Sequence, residues 1–268
     1  MKRGGCSFLP FLLFVLLFYL FASRDDATIE RAYVGEGANP RRPPIEMMPG
    51  TPEYLIEQPV SPQDSQGTAF AIGPDGLWLT AQHVVQGCDL VGLATGARSA
   101  AAADRVVEST TSDAALIEGG VPSATVLALG GETPVPGSIG YHMGFPSGAP
   151  AVVVSELIGE ANVVRGPSRR EPTLAWAEIE RLPDFGYALG GISGGPTLDR
   201  SGRVIGINSA GSERRGRVLT THPGAIAALV GRQGGGAPVS IDGPRGAAMF
   251  FQYLLDEGAI RQVYCDVV

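Results

Sequence analysis

A glycine-rich stretch at residues 190–196, GGISGGP, places the hydroxyl of Ser193 among residues that mostly lack a side chain. Glycine lets the backbone turn tightly and lets a substrate carbonyl approach, which suits a serine that acts as a nucleophile. The amides of Gly191 and Ser193 would then point at one spot and hold a developing oxyanion. Taken alone, the stretch also fits a glycine-rich turn with no chemical role.

A nucleophilic serine needs a base, and the sequence offers three histidines for this role. His83, in TAQHVV, stands at the end of a predicted strand just before a short helical turn. His142 lies inside a strand-like run, and His222 precedes a proline at a predicted helix start. His83 has the most specific context, and we predict that it is the base.

A catalytic histidine also needs a carboxylate that accepts a hydrogen bond from its other ring nitrogen. Asp113 opens the apolar run DAALI at residues 113–117. An acid at the entry of a buried strand requires a partner for its charge. The alternative is a turn aspartate at a strand end, which is common.

The chain holds 38 glycines and 21 prolines and few aromatic residues. This many turn-forming residues favour short strands over long helices as the elements that position the candidate residues. The pattern predicts an all-β protein with short helices at 223–230 and 247–255. A turn at 199–202, DRSG, predicts a hairpin. Strands are predicted at 67–73, 77–80, 114–117, 138–143, 151–158, 173–179, 196–198 and 204–207.

Three motifs, TAQHV at 80–84, DAALI at 113–117 and GISGGP at 191–196, together resemble the trypsin-like serine proteases. The order His, Asp, Ser is that of the chymotrypsin fold and differs from subtilisins and α/β-hydrolases. The spacings of 30 and 80 residues and the segments GTAF (67–70), GFPSG (144–148) and GRVIGINS (202–209) resemble the bacterial high-temperature-requirement (Deg-type) branch. The resemblance covers residues 65–231, and no PDZ domain is recognisable after it.

The resemblance implies two packed six-stranded antiparallel β-barrels with the triad in the cleft between them. It implies that Ser193 attacks a peptide carbonyl, that His83 relays the proton, and that Asp113 orients the imidazole. Gly191 and Ser193 would form the oxyanion hole. Ser209 aligns with a hydroxyl that hydrogen-bonds the buried aspartate.

The resemblance also implies a specificity pocket, with Tyr187 at its base and Ser209, Ala210 and Gly211 in its walls. No acid is evident at that base, so a preference for Arg or Lys is not expected. A pocket shortened by a tyrosine predicts small or medium apolar side chains at the cleavage site.

Ile192 departs from the family pattern, which has Asn or Asp there. The loop is therefore expected to be less fixed, or to need activation, which keeps a catalytically latent peptide-binding or adaptor protein as an alternative. A serine esterase on another fold is a third interpretation, against which the motif order and the strand-rich pattern weigh.

Four segments are predicted. Residues 1–23 form a signal peptide or signal anchor, because Lys2 and Arg3 precede an apolar run at 8–22. Residues 24–63 form a proline-rich linker, 64–232 the protease domain and 233–268 a C-terminal extension. Either form of the signal predicts a periplasmic or extracellular location, with membrane anchoring through 8–22 as one option.

The formal net charge of −7 comes without a basic run, which argues against nucleic-acid binding. Lys2 is the only lysine, which excludes Schiff-base chemistry and a Ser-Lys pair from the rest of the chain. No CxxC pair is present, and a triad requires no metal or cofactor. The expected partners are protein or peptide substrates. Cys88 and Cys265 could pair on export or remain buried thiols.

Overall fold

In a computed structural model of this protein, the described residues form two closed, largely antiparallel sheets. The structure describes residues 51–56, 61, 63–165, 169–212, 216–231 and 235–268, with the backbone alone at 169 and 210–212. The predicted signal at 1–23 and most of the predicted linker lie outside the described residues.

The elements follow one another in this order: β1 (Glu53–Ile56), β2 (Ser65–Gly73), β3 (Leu77–Thr80), α1 (Gln82–Val85), β4 (Leu90–Gly96), β5 (Ser99–Ala102), β6 (Arg105–Glu108), β7 (Ala115–Glu118), β8 (Ala128–Leu129), β9 (Ile139–Gly144), β10 (Ala151–Arg165), β11 (Arg169–Leu182), β12 (Pro196–Leu198), β13 (Arg203–Ser212), β14 (Arg217–Thr221), α2 (Pro223–Val230), α3 (Gly243–Asp256) and β15 (Ile260–Asp266). A 3-10 turn occupies Pro146–Gly148.

The first sheet has the strand order β5-β4-β15-β2-β3-β7-β6. Only two residues separate β5 from β6, and their amides bind opposite edges of the sheet. The Ala103 amide donates to Val91 on β4, and the Asp104 amide donates to Glu118 on β7. The bent segment β5–β6 therefore closes the sheet into a six-stranded barrel.

The second sheet runs β9-β10-β11-β14-β13-β12 and returns to β9, which pairs with both β10 and β12. Two short strands lie alongside it in parallel, β1 on β10 and β8 on β13. The turn between β12 and β13 forms as predicted, because Asp199 Oδ1 accepts from the amides of Ser201 and Arg203. The predicted all-β fold with two six-stranded barrels is confirmed.

The C-terminal segment completes the first barrel. Its last strand, β15, lies between β2 and β4 and pairs antiparallel with both. Cys265 on this strand forms a disulfide with Cys88, which resolves the two alternatives left open for these cysteines. Residues 233–268 thus contribute a strand to the barrel that carries His83.

Helix α3 precedes β15 and buries one face. Ala247, Phe251 and Leu254 are spaced by four and three residues, which places them on one side of the helix. They join a hydrophobic cluster with members in both barrels, including Trp78 and Ile207. Within the described ranges, no helix has the length and apolar character needed to cross a membrane.

Candidate active site

His83 lies on α1, the single helical turn that follows β3. Val84 and Val85 beside it are buried and draw the turn onto the barrel core. The side chain of His83 remains 31% exposed. Burial of its neighbours thus fixes the backbone while the ring stays open to solvent on one side.

Asp113 is wholly buried just before β7, and its carboxylate accepts four hydrogen bonds. Oδ1 accepts from the His83 amide at 2.9 Å, and Oδ2 accepts from His83 Nδ1 at 2.8 Å. Oδ2 also accepts from Arg165 Nη2 at 2.8 Å and from Ser209 Oγ at 2.6 Å. The structure therefore brings two of the predicted triad residues together, with their partners around them.

Burial by itself raises the pKa of Asp113. The charge and hydrogen bond of His83, the Arg165 guanidinium and the Ser209 hydroxyl together outweigh burial and hold this pKa well below its ordinary value. The carboxylate therefore stays ionised at every pH at which the protein would work.

The loop of Ser193 packs against the segment that leads into His83. The Ser193 carbonyl accepts from the Thr68 amide at 2.8 Å. Gly194 has φ +87°, and a Cβ there would collide with the Thr80 hydroxyl and the Thr68 carbonyl. Among the described residues no hydrogen bond joins Ser193 to His83, and such bonds often shorten only when substrate binds.

The amides predicted to hold an oxyanion have no acceptor within the described parts of the chain. The Gly190 carbonyl accepts from the Ser147 amide at 2.7 Å, so across this trans peptide the Gly191 N–H points the opposite way. The Gly191 carbonyl accepts from Thr68 Oγ1 at 2.8 Å. These contacts fix the peptide on both sides and leave the amides of Gly191 and Ser193 available.

Ile192 is buried rather than loose. It is 2% exposed and belongs to a hydrophobic cluster of the second barrel that includes Trp176. Asn208 adds a second restraint through its backbone: its backbone carbonyl accepts from the Gly194 amide, and its backbone amide donates to the Gly195 carbonyl. The apolar side chain at 192 therefore anchors the nucleophile loop to the core.

The predicted pocket residues lie in different environments. Tyr187 is 40% exposed and stacks on Phe185, with 4.3 Å between ring centroids. It lines an open groove of about 560 Å³ together with Glu178 and Asp184. Ser209 is buried and directs its hydroxyl to Asp113. Ala210 and Gly211 pair with β14 through their backbone, and the pocket assignments stay predictions.

The other two histidines have structural environments. His142 Nε2 lies 2.5 Å from Ser155 Oγ, but both residues are fully buried, so no substrate reaches this second Ser-His pair. Burial lowers the pKa of His142 to about 4, against the opposing hydrogen bond with Asn208. His222 caps α2 by accepting from the Gly224 amide.

Sequence reasoning missed Arg165, Thr68 and Asn208. Arg165 carries a readable signal, because it follows Ala161 and Val163 at every second position along β10 and so shares their inward-facing side. A charge at an inward position of a strand calls for a partner. Thr68 and Asn208 carry no comparable signal, because only the fold sets their distance from residues 190–195.

Comparison with known proteins supports the fold. No curated protein matches the sequence. The active form of the Rv3671c protease from M. tuberculosis is 18% identical with a TM-score of 0.52, over 74% of this chain and 96% of that one. The HtrA-type protease AlgW with a tripeptide is 22% identical with a TM-score of 0.50, over 62% and 54% of the two chains. These similarities concern the fold.

The sequence itself matches the trypsin-like peptidase domain over residues 67–207, which is just over half of the chain. The matched range runs from within β2 to the middle of β13, and it includes His83, Asp113 and Ser193. The chain therefore belongs to the trypsin-like peptidase family.

Proposed function

We propose that this protein is a serine endopeptidase that cleaves proteins outside the cytoplasm through an acyl-enzyme on Ser193. The observation that carries the proposal is the hydrogen bond from His83 Nδ1 to the buried carboxylate of Asp113. It leaves Nε2 of a partly exposed imidazole as the proton acceptor, beside the loop of Ser193.

In the first step, Ser193 Oγ attacks the peptide carbonyl while its proton passes to His83 Nε2. The negative charge that develops on the carbonyl oxygen is held by the amides of Gly191 and Ser193. Asp113 stays ionised and stabilises the imidazolium that forms.

In the second step, the tetrahedral intermediate expels the amine, which takes the proton from His83 Nε2. Water then enters, gives a proton to the same nitrogen and attacks the acyl group. The second tetrahedral intermediate releases the acid as His83 Nε2 returns this proton to Ser193 Oγ, which restores the enzyme. The chain itself supplies the nucleophile, the proton carrier and the oxyanion donors, and the proposed reaction calls for no metal or organic cofactor.

The disulfide between Cys88 and Cys265 supports an exported protein, because such bonds persist in oxidising compartments. The signal-like pattern at 8–22 supports the same location, periplasmic or extracellular, with retention as an anchor as one form of it. The tripeptide in the AlgW structure supports protein or peptide substrates.

The specificity proposal is cleavage after small or medium apolar residues, with Tyr187 limiting the depth of the pocket. Glu178 and Asp184 line the groove beside Tyr187, although Glu178 pairs with Arg181. Cleavage of a random peptide library by the full chain tests the proposal. Cleavage mainly after Arg or Lys would reject it.

A fluorophosphonate probe tests the activity, because it reports an activated serine without knowledge of the substrate. We expect the full-length chain to be labelled and both Ser193→Ala and His83→Gln to lose labelling. Ser99→Ala, at an exposed position on β5, is the matched control and should label like the parent. A folded parent that stays unlabelled would overturn the proposal and favour the latent, peptide-binding alternative. Labelling together with hydrolysis of simple esters but of no peptide would favour an esterase.

A further inference from the structure

A guanidinium is buried behind the candidate triad. Arg165, at the end of β10, is 4% exposed, and its Nη2 donates both to Asp113 Oδ2 and to Ser209 Oγ. On its other side, Nε donates to Glu171 Oε1 at 3.4 Å, and Glu171 is 1% exposed. A buried row thus runs from Glu171 through Arg165 and Asp113 to His83.

Arg165 stands between two buried carboxylates and forms an ion pair with each of them, Asp113 and Glu171. Removing one partner of a buried ion pair is costly, because it leaves a buried charge with less compensation. Glu171 therefore helps to hold the guanidinium in place behind Asp113.

Arg165 and His83 share one oxygen atom, Oδ2 of Asp113. The charges of Arg165 and Glu171 act on the imidazole with opposite signs, and Arg165 is the nearer of the two. The guanidinium also occupies Oδ2 from a fixed direction, so that the carboxylate has no freedom to rotate away from His83.

We propose that Arg165, held by Glu171, is a positioning residue that locks the Asp113 carboxylate against His83 and couples its own charge to the imidazole through the shared oxygen atom. The inference rests on the proposed protease function for its catalytic meaning. The opposing effects of Arg165 and Glu171 on His83 are its testable content.

Two other groups on or beside the helical turn of His83 bear on a test of this row. Glu108 on β6 accepts from Gln82 at 2.8 Å, next to His83 in the chain. Cys88, after the same helical turn, is in the disulfide and does not titrate. Both remain unchanged in every variant described below, so differences between variants report the row itself.

The test is the pH midpoint of the His83 imidazole signals, followed by NMR in the full-length chain with Ser193→Ala. Arg165→Gln keeps a donor and removes the charge, and we expect the midpoint to rise by about one pH unit. Glu171→Gln should lower it by less, because Arg165 lies between. Arg165→Lys should stay closer to the parent. The control Arg105→Gln removes an exposed charge and should leave the midpoint in place.

A purely structural role for Arg165 predicts no opposite shifts. Midpoints of Arg165→Gln and Glu171→Gln that match the parent, or that move in the same direction, would overturn the inference. If Arg165→Gln fails to fold, the double variant with Glu171→Gln removes both buried charges. Its midpoint should lie between that of the parent and the midpoint expected for Arg165→Gln. Glu171→Gln alone still tests whether the Glu171 charge shifts the midpoint in the expected direction.

Activity separates this inference from the proposed function. In the active parent, the acidic limb of kcat/KM should move with the same sign as the NMR midpoint in each variant. A parent without fluorophosphonate labelling would overturn the protease proposal while the NMR midpoints still decide the role of Arg165. A labelled parent with unmoved midpoints would overturn only the role of Arg165.

Discussion

Cys265, near the C-terminus, is covalently bonded to Cys88, which lies five residues after the candidate base His83. The bond spans a sequence separation of 177 residues. It ties β15, the strand that completes the first barrel, to the chain just beyond α1. The segment that carries His83 and the end of the chain are therefore held as one unit.

Cys265→Ser should lower the free energy of unfolding by about 2–4 kcal/mol, because the unfolded chain regains the entropy of an open loop. Thermal unfolding with and without a thiol reductant measures this effect in the parent. Ser99→Ala, at an exposed position on β5, is the control and should leave the melting temperature unchanged. An equal melting temperature of the parent with and without the reductant would contradict the disulfide.

Acid should weaken the fold through His142 before it acts on Asp113. The folded pKa of His142 is about 4, below the unfolded value of 6.5, so the unfolded chain binds more protons between these values. Stability is then fully present above pH 6.5 and falls by about 3 kcal/mol as the pH drops to 4.

Urea unfolding at pH 7.5, 5.5 and 4.5 measures this loss. In His142→Gln the same interval should show a flatter profile, even if the variant is less stable throughout. Asp113 acts separately, because its pKa is depressed and its contribution is lost only below the ordinary aspartate range. Parallel profiles for parent and variant would exclude His142 as the source.

Gly194→Ala should reduce both stability and labelling by the fluorophosphonate probe. The backbone at 194 has φ +87°, where a side chain costs about 1–3 kcal/mol, and the added methyl would collide with Thr68 and Thr80. Gly131→Ala is the matched control, since Gly131 has no atom within 4 Å of the added carbon. Normal labelling of Gly194→Ala would show that the loop tolerates rearrangement.

Ser209→Ala should slow labelling and lower kcat about tenfold with little change in KM. The variant loses a hydrogen bond of 2.6 Å to the Asp113 carboxylate, and bonds to charged groups contribute about 1.5–3 kcal/mol. The bond from Arg165 to Asp113 remains, which limits the loss. Unchanged kcat together with a raised KM would instead support the predicted place of Ser209 in the pocket wall.

Strands with strong local patterns were predictable, and weak ones were not. The runs at 67–73, 77–80, 196–198 and the helix at 223–230 appear where the sequence places them. The strand Ser99–Ala102, with sequence SAAA, was missed because alanine has low strand propensity. It forms because the neighbouring strand β4 supplies its hydrogen bonds.

The sequence by itself determined what depends on neighbouring residues: the three motifs in the order His83, Asp113, Ser193, the glycine-rich nucleophile loop and the all-β pattern. The tertiary structure alone decided which distant residues meet. It placed β15 between β2 and β4 and set Arg165 against Asp113, 52 residues apart. No local pattern identifies the partners in such contacts, because barrel closure brings strands together by hydrogen bonding and burial rather than by their spacing in the chain.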